Sequence, residues 1–307
     1  MTRISPQVDI AFKKIFGVEE NKDLLISLIN SIVSNEDQVR EVKLLNPYNP
    51  KSFKKDKLSI LDIKATGENG KLFNIEMQIS DEADYDKRAL YYWAKLYTEQ
   101  LASGEDYSLL SKAIGIHILN FTSILNNQKY HNVFHITEKE SGEQYFKNLE
   151  LHTIELKKFA SSSEQLTDLV AKIKNSLDIW TTFLSRHDLL NKDNLPKELN
   201  DVNLKKALEV LEVMSFNKEE REFYEDHLKW LRIEASYLKK AEQKGIEKGL
   251  EKGLKEGIEK GLKEGRKEGI EIGIEKVAIN MLNNNIAIET IAIATGLSIE
   301  TINKLRD

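Results

Sequence analysis

The fold is decided by the stretch LDIKATGENGKLFNIEMQ, residues 61–78. Its two halves alternate apolar and polar side chains on either side of a glycine-containing turn. That pattern predicts a hairpin of two strands, residues 58–65 and 71–79. Successive side chains of a strand point to opposite faces. The polar positions of the two strands include the acidic residues Asp62 and Glu76.

Burial of the apolar faces selects one pairing register for this hairpin. If Ile63 lies opposite Ile75, the apolar faces of both strands coincide, and Asp62 then lies opposite Glu76. A shift by one residue would turn a whole face over and separate the two acids. The favoured register requires a loop with an odd number of residues, in which Gly70 takes the left-handed conformation.

Two opposed carboxylates predict a cation between them. Directly opposed residues have Cβ atoms about 5 Å apart, so Asp62 and Glu76 would repel each other without a counter-ion. Carboxylate oxygens are the usual ligands of Mg²⁺, and such an ion can activate water and stabilise charge on a phosphoryl oxygen. Lys64 and Gln78 share this face and could contact a phosphate or orient a water. The alternative is a solvated sheet face on which the acids are ordinary surface charges.

Several longer segments of the sequence resemble the motifs of one known protein family. In chain order they are DIAFKKIFG (9–17), LDI (61–63), NIEMQ (74–78), RALYY (88–92) and YTEQL (97–101). They resemble the Rpn family, which is described as recombination-promoting nucleases or transposases. Asp62 followed by Glu76-Met77-Gln78 is similar to the PD-(D/E)XK motif in its E-x-Q form. The resemblance covers residues 1 to about 235.

The resemblance implies an α/β, restriction-endonuclease-like core, a mixed sheet flanked by helices, with an all-α C-terminal extension. It also implies a metal-dependent DNA endonuclease linked to recombination or transposition. Asp62 and Glu76 would bind Mg²⁺, or another divalent cation such as Mn²⁺ or Ca²⁺. Asp9 matches the acid that often completes such sites, although an ion pair with Lys13 on the helix surface is an alternative.

Gln78 stands where the motif more often has lysine. A neutral amide can orient a water but adds no positive charge for the transition state. Weak or strongly metal-dependent activity is therefore expected. The alternative from a different functional class is a nuclease-derived protein that binds DNA and oligomerises without turnover.

DNA is the implied partner, and five basic residues are candidates to contact it: Lys13, Lys64, Arg88, Lys54 and Lys55. Arg88 belongs to a predicted helix over residues 82–102, on which Tyr92 is expected to face the core. Lys54 and Lys55 lie in a lysine-rich loop, and such loops are usually only solvated. Each contact therefore has a plain structural alternative.

Composition excludes several other classes. The 307 residues contain no cysteine, which rules out disulfides and thiolate metal sites. No apolar run approaches the length of a membrane span, and no signal segment is recognisable, so we expect a cytoplasmic protein without a membrane partner. The net charge of −5 does not indicate nucleic-acid binding, which would depend on local basic patches. The six histidines show no metal-ligand spacing and are interpreted as structural.

The C-terminal half is predicted to be helical and to contain a repeat. Glycine recurs every fourth residue over 245–273, between charged and apolar residues. The repeat predicts either a marginal helix that pairs with a second copy to form a homo-oligomer, or a flexible charged linker. The last residues predict a helix-turn-helix shape, or a plain helical packing unit. The expected domains are a nuclease-like core (1–159), a helical region (160–240), the glycine-repeat segment (241–276) and a small helical tail (277–307).

Overall fold

The structure is a computed structural model. It describes residues 4–48, 62–81, 84–214 and 216–306, with the backbone but not the side chain of Asp62. The chain divides into two compact units, residues 1–231 and 232–307. The finer division into four regions stays a prediction.

The first unit is built on one six-stranded mixed sheet. Its strands are β1 (Val42–Leu44), β2 (Asp62–Gly67), β3 (Leu72–Gln78), β4 (Ala113–Leu119), β5 (His131–Ile136) and β6 (Phe146–Glu155). Their spatial order is β1-β2-β3-β4-β6-β5. The three central strands β3, β4 and β6 run parallel, and the pairs β1/β2, β2/β3 and β5/β6 are antiparallel. The predicted mixed sheet is confirmed.

The hairpin register predicted from burial is confirmed. Asp62 pairs with Glu76 and Ile63 pairs with Ile75 across β2 and β3. Gly70 closes the turn with a φ of 78°, the left-handed conformation that the loop requires and that glycine adopts without steric cost. Ile63 and Ile75 are both buried, so the apolar faces coincide as expected.

Helices cover both faces of this sheet. Those of the first unit are α1 (Asp9–Phe16), α2 (Lys22–Ile32), α3 (Tyr85–Thr98), α4 (Leu156–Phe159), α5 (Leu166–Val170), α6 (Ser176–Arg186) and α7 (Val202–Val213). The core joins α1, α2, α6 and α7 to the face that carries Ile63 and Ile75. Aromatic rings at its centre touch edge to face, with Phe16 and Trp180 centroids 5.3 Å apart. The helices and the sheet thus share one continuous core.

Helix α3 connects β3 to the parallel strand β4 and packs on the opposite face. It is shorter than predicted, and its buried residues are Tyr85, Ala89 and Leu96. Tyr92 is 43% exposed, so the expectation that it faces the core is wrong. The covered face of α3 is narrow because the helix lies on the polar side of the sheet, where less apolar surface is available.

Helix α8 (Lys218–Asn283) begins in the first unit and ends in the second. The glycine repeat is helical throughout, which favours the helix over the flexible linker. A methyl group added at any repeat glycine would meet nothing within 4 Å, so this surface is open in the single chain. No helix among the described residues combines the length and apolar character needed to cross a membrane.

The end of the second unit is a small helical cluster. Helices α9 (Ile288–Thr295) and α10 (Ile299–Lys304) pack with the end of α8 around three buried residues, Ala278, Ile291 and Ile302. Gly296 ends α9 with a φ of 74°, and the Ser298 side chain caps α10 by accepting a hydrogen bond from the Thr301 N–H. The predicted helix, turn and capped helix are therefore present.

Candidate active site

The hairpin brings Asp62 and Glu76 to one face of the sheet. Their backbone positions are paired across β2 and β3. The Glu76 side chain is 8% exposed, so a solvated acidic face does not describe this residue. The Asp62 side chain lies outside the described residues, and its role stays a prediction.

Helix α1 adds a second buried carboxyl group, that of Asp9. Asp9 lies in the first turn of the helix and is 6% exposed. Burial, and then the negative charge of Glu76, raise the pKa of Asp9 to about 7. Elements distant in sequence thus place two carboxyl groups close enough to interact. Lys13 is buried as well, so a pair between Asp9 and Lys13 would lie inside the protein rather than on the helix surface.

Arg88 and Gln78 form the polar edge of this site. Nη2 of Arg88 lies 3.4 Å from Glu76 Oε1 and donates to Gln78 Oε1 at 2.7 Å. The Gln78 amide nitrogen donates to the Ser80 carbonyl at 3.1 Å. Both ends of the Gln78 amide are therefore held, and the guanidinium supplies a positive charge beside the position where the motif more often has lysine.

His117 lies beside Glu76 on the neighbouring strand. The two residues are register partners across β3 and β4, and His117 Nδ1 lies 3.7 Å from Glu76 Oε2 and 2.8 Å from the Tyr85 hydroxyl. Burial, and then the charges of Arg88 and His152, lower the pKa of His117 to about 4. The ring is therefore neutral near pH 7 and contributes packing and hydrogen bonding rather than charge.

Sequence reasoning interpreted His117 as structural and gave no indication that it adjoins Glu76. The alternation of β4 puts His117 on a defined face, but only the parallel register sets the two side by side. A second residue without a signal is His227 on α8, whose Nε2 lies 3.9 Å from Asp9 Oδ2. Its ring stacks on Phe223 with centroids 6.4 Å apart. No local pattern predicts a contact between residues so far apart in sequence.

The candidate DNA contacts lie in different surroundings. The Lys64 side chain is 28% exposed on the same face as Glu76, with its ammonium 3.9 Å from Glu99 Oε2. The Arg88 side chain is 30% exposed and borders the acids. Lys13 is buried in α1, one turn after Asp9, and so lies off the open surface. Lys54 and Lys55 lie outside the described residues, and their contacts stay predictions.

The acids fit a hard divalent cation. Within the described part of the chain no group of three or more His, Asp or Glu residues could hold a metal ion, so the described residues alone offer the carboxylates of Asp9 and Glu76 as candidate ligands. A cation between them would relieve the repulsion that helps raise the pKa of Asp9. The backbone position of Asp62 would allow a third carboxylate. A donor set made of oxygens favours ions such as Mg²⁺, Mn²⁺ or Ca²⁺.

A mixed sheet with flanking helices and acids gathered on a hairpin is the arrangement expected of a restriction-endonuclease-like core. The chain belongs to the PD-(D/E)XK nuclease family transposases, because the model of that family matches residues 6–241. The match confirms the resemblance found in the sequence and indicates a function of the nuclease or transposase kind. Comparisons with curated proteins and with solved structures gave no match.

Proposed function

We propose that this chain hydrolyses phosphodiester bonds in DNA with a divalent cation held by Asp62 and Glu76. Asp9 is the acid that completes the site. The observation that carries the proposal is that Asp9 and Glu76, from separate elements, are both buried and that the charge of Glu76 contributes to the raised pKa of Asp9. Burying two carboxyl groups together costs stability unless a cation or a function accounts for it. The match to a nuclease family supplies the chemistry for which such a pair is suited.

A divalent cation at these acids would supply positive charge beside the scissile phosphate and lower the pKa of a water. Arg88 fixes the side-chain positions of Glu76 and Gln78 through its contacts with both. The same guanidinium can bind a phosphate oxygen by charge-assisted hydrogen bonds. Gln78 would orient a water molecule but would not neutralise the negative charge of the transition state, because its amide is uncharged. Lys64 would bind the neighbouring phosphate on the same sheet face.

The proposal includes a role in recombination or transposition and a cytoplasmic location, both of which stay predictions. It also includes a homo-oligomer formed through the repeat helix at residues 245–273. The support for the oligomer is the exposed apolar series on that helix, Ile246, Leu250, Leu254, Ile258 and Leu262, all more than half exposed in the single chain. Eight glycines in this helix cost about 1 kcal/mol each relative to alanine, so a packed partner would stabilise it.

Plasmid nicking tests the proposed activity. Purified full-length protein is incubated with supercoiled plasmid and Mg²⁺, Mn²⁺ or Ca²⁺, beside Glu76→Gln and Asp62→Ala. We expect metal-dependent nicking that falls at least about 100-fold in both variants, because a cation contributes several kcal/mol to transition-state stabilisation. Glu143→Gln is the matched control, since Glu143 is an exposed acid in the connection between β5 and β6, and it should nick like the wild type.

The opposite result has a definite meaning. If no cation supports nicking, or if Glu76→Gln nicks as fast as the wild type, the hydrolytic site is not on this hairpin. The alternative of a nuclease-derived protein that binds DNA and oligomerises without turnover would then hold if the chain retains DNA binding. The neutral Gln78 is the observation that favours this alternative.

A further inference from the structure

We propose that a cavity next to the acidic site binds an unpaired base of the DNA strand that is cut. The inference rests on the proposed nuclease function and specifies its substrate. The cavity measures about 480 Å³ and lies between β2, β3, the end of α3 and the 3-10 turn Tyr107–Leu109. Its size is in the range of small-molecule sites in proteins.

The cavity continues the face on which the acids lie. Lys64 lines it and follows Asp62 by two residues on β2, so the two positions share a face about 7 Å apart. Leu72 also lines it and precedes Glu76 by four residues on β3, again on the same face. A DNA strand that has one phosphate at the acids would therefore present its next nucleotide to this cavity.

The lining suits a base rather than a second phosphate. Leu72, Leu96 and Leu109 form apolar walls, and apolar and aromatic walls are the surfaces on which the flat faces of bases pack. Leu96 is 4% exposed and Leu109 is 62% exposed. The wall formed by Leu96 is therefore packed against the protein, whereas the wall formed by Leu109 is accessible to an entering group. A highly charged phosphate would gain little from such walls.

The rim carries polar groups that suit the edge of a base and its phosphate. Among the described residues the Lys64 ammonium has one ion-pair partner, the Glu99 carboxylate at the long distance of 3.9 Å, and Glu99 is half exposed. A phosphate can displace that contact and bind Lys64. The Glu99 carboxylate can accept a hydrogen bond from an exocyclic amino group. Within the described residues the Ser111 hydroxyl makes no hydrogen bond, while its backbone is held by the Gln100 amide.

A base can enter this cavity only when it has left the duplex stack. Enzymes that bind a base in a pocket act on single strands or extrude the nucleotide, and the cost is least where pairing is already absent. The inferred substrate is therefore DNA with an unpaired base beside the scissile phosphate, as in single strands, frayed ends and mismatches.

Removing one apolar wall of the cavity tests the inference. Leu109→Gln replaces that wall by a polar, uncharged side chain of similar size, and the exposure of Leu109 lets the chain fold with it. Leu125→Gln is the matched control, because Leu125 is 78% exposed and does not line the cavity. Circular dichroism establishes that both variants are folded.

Binding is measured by fluorescence anisotropy with full-length protein and Mg²⁺. The probe is a labelled single-stranded oligonucleotide with phosphorothioate linkages, which resist cutting, and the comparison strand has the same backbone with abasic sites. We expect the base-containing strand to bind about tenfold more tightly, in line with the usual contribution of base contacts. Leu109→Gln should reduce this difference to about threefold or less and leave the affinity for the abasic strand unchanged, whereas Leu125→Gln should keep it.

Equal affinity for the two strands in the wild type would overturn the inference, as would a base preference that is unchanged in Leu109→Gln. Plasmid nicking separates this failure from that of the proposed function. If nicking depends on Glu76 while binding ignores the bases, the cavity has no such role and the nuclease stands. If neither the plasmid nor a single strand without phosphorothioate linkages is cut with any cation, the proposed function fails, and with it the inference that the bound base belongs to a strand that is cut.

Discussion

Two clusters of buried acids in the first unit have opposite electrostatics. In one, Asp9 and Glu76 come together, and the pKa of Asp9 is raised to about 7. In the other, Asp37 and Glu150 meet around lysines, and both of their pKa values are lowered. Glu76 and Glu150 lie on opposite faces of the same sheet, as the strand registers require.

The second cluster contains its own cations. The Lys112 ammonium lies 2.6 Å from Asp37 Oδ2 and 2.8 Å from Glu150 Oε2, and the Lys71 ammonium lies 2.8 Å from Asp37 Oδ1. Burial alone would raise the pKa of Asp37, but hydrogen bonds from Lys112, Lys71 and Ser34 outweigh it. This cluster has the internal compensation of a structural ion network.

The comparison shows why the number of acids does not identify a site. Acids neutralised by lysines hold the fold together, whereas an acid whose pKa is raised by burial and by a neighbouring acid favours binding of a proton or a cation. Asp9 is of the second kind, and its neighbour Glu76 has Arg88 as a partial counter-charge at 3.4 Å. The following experiments test the two kinds against each other.

The largest effect on stability is expected at Asp9. Its folded pKa is above its ordinary value, so the folded state holds the proton more tightly, and stability is lost as the pH rises through about 7. In EDTA we expect the wild type to lose about 3 kcal/mol between pH 5 and pH 8 from this group. Asp9→Asn should lack that loss and exceed the wild type in stability at pH 8. Urea denaturation at the two pH values measures both, and equal stability at pH 8 would contradict the raised pKa.

A smaller effect of opposite sign is expected in the lysine-containing cluster. Asp37→Asn removes a charge partner from both Lys71 and Lys112, so we expect the free energy of unfolding at pH 7 to fall by about 2 kcal/mol. Glu143→Gln, at an exposed acid between β5 and β6, should change it by less than about 0.5 kcal/mol. Nicking by Asp37→Asn below its melting temperature should equal that of the wild type. Loss of nicking in a folded Asp37→Asn protein would mean that this cluster also serves the reaction.

The smallest expected effect is the stabilisation by added Mg²⁺, which should depend on the cluster of Asp9 and Glu76 and not on the cluster of Asp37 and Glu150. At a Mg²⁺ concentration ten times the dissociation constant, binding to the folded state alone adds about 1.4 kcal/mol. We expect the melting temperature of the wild type to rise with Mg²⁺, and the same rise in Asp37→Asn. Glu76→Gln should show a much smaller rise. A rise that is unchanged in Glu76→Gln would place the cation elsewhere.

The hairpin was predictable from sequence because one constraint decided it. A slip by one residue would turn one apolar face over, and the register that pairs Ile63 with Ile75 sets Asp62 opposite Glu76. Gly70 marks the turn, since few other residues adopt its left-handed φ. The resemblance of several sequence segments to a nuclease family then predicted the mixed sheet and the helices that flank it. Strand alternation and turn chemistry are local, and so they can be read from the chain.

Contacts between distant elements were not predictable in the same way. The charge of Glu76 raises the pKa of Asp9, and His227 lies near the Asp9 carboxylate. No sequence periodicity predicts that either residue would lie near Asp9. Tyr92 was expected in the core because aromatic residues are usually buried, yet the narrow contact of α3 with the sheet leaves it exposed. These outcomes depend on how whole elements pack, which a single sequence does not specify.

The glycine repeat also bears on how the chain can change length during evolution. Each unit of four residues supplies one glycine and about two charges, and neighbouring units are nearly interchangeable in composition. Loss or gain of one unit changes the helix length by about 6 Å and leaves its sequence pattern intact. A gene that encodes such a repeat can shorten or lengthen by slippage during copying without creating a new kind of surface. The helix is therefore a segment whose length natural variation can adjust in equal steps, while the two acids and their sheet cannot shift by a single residue.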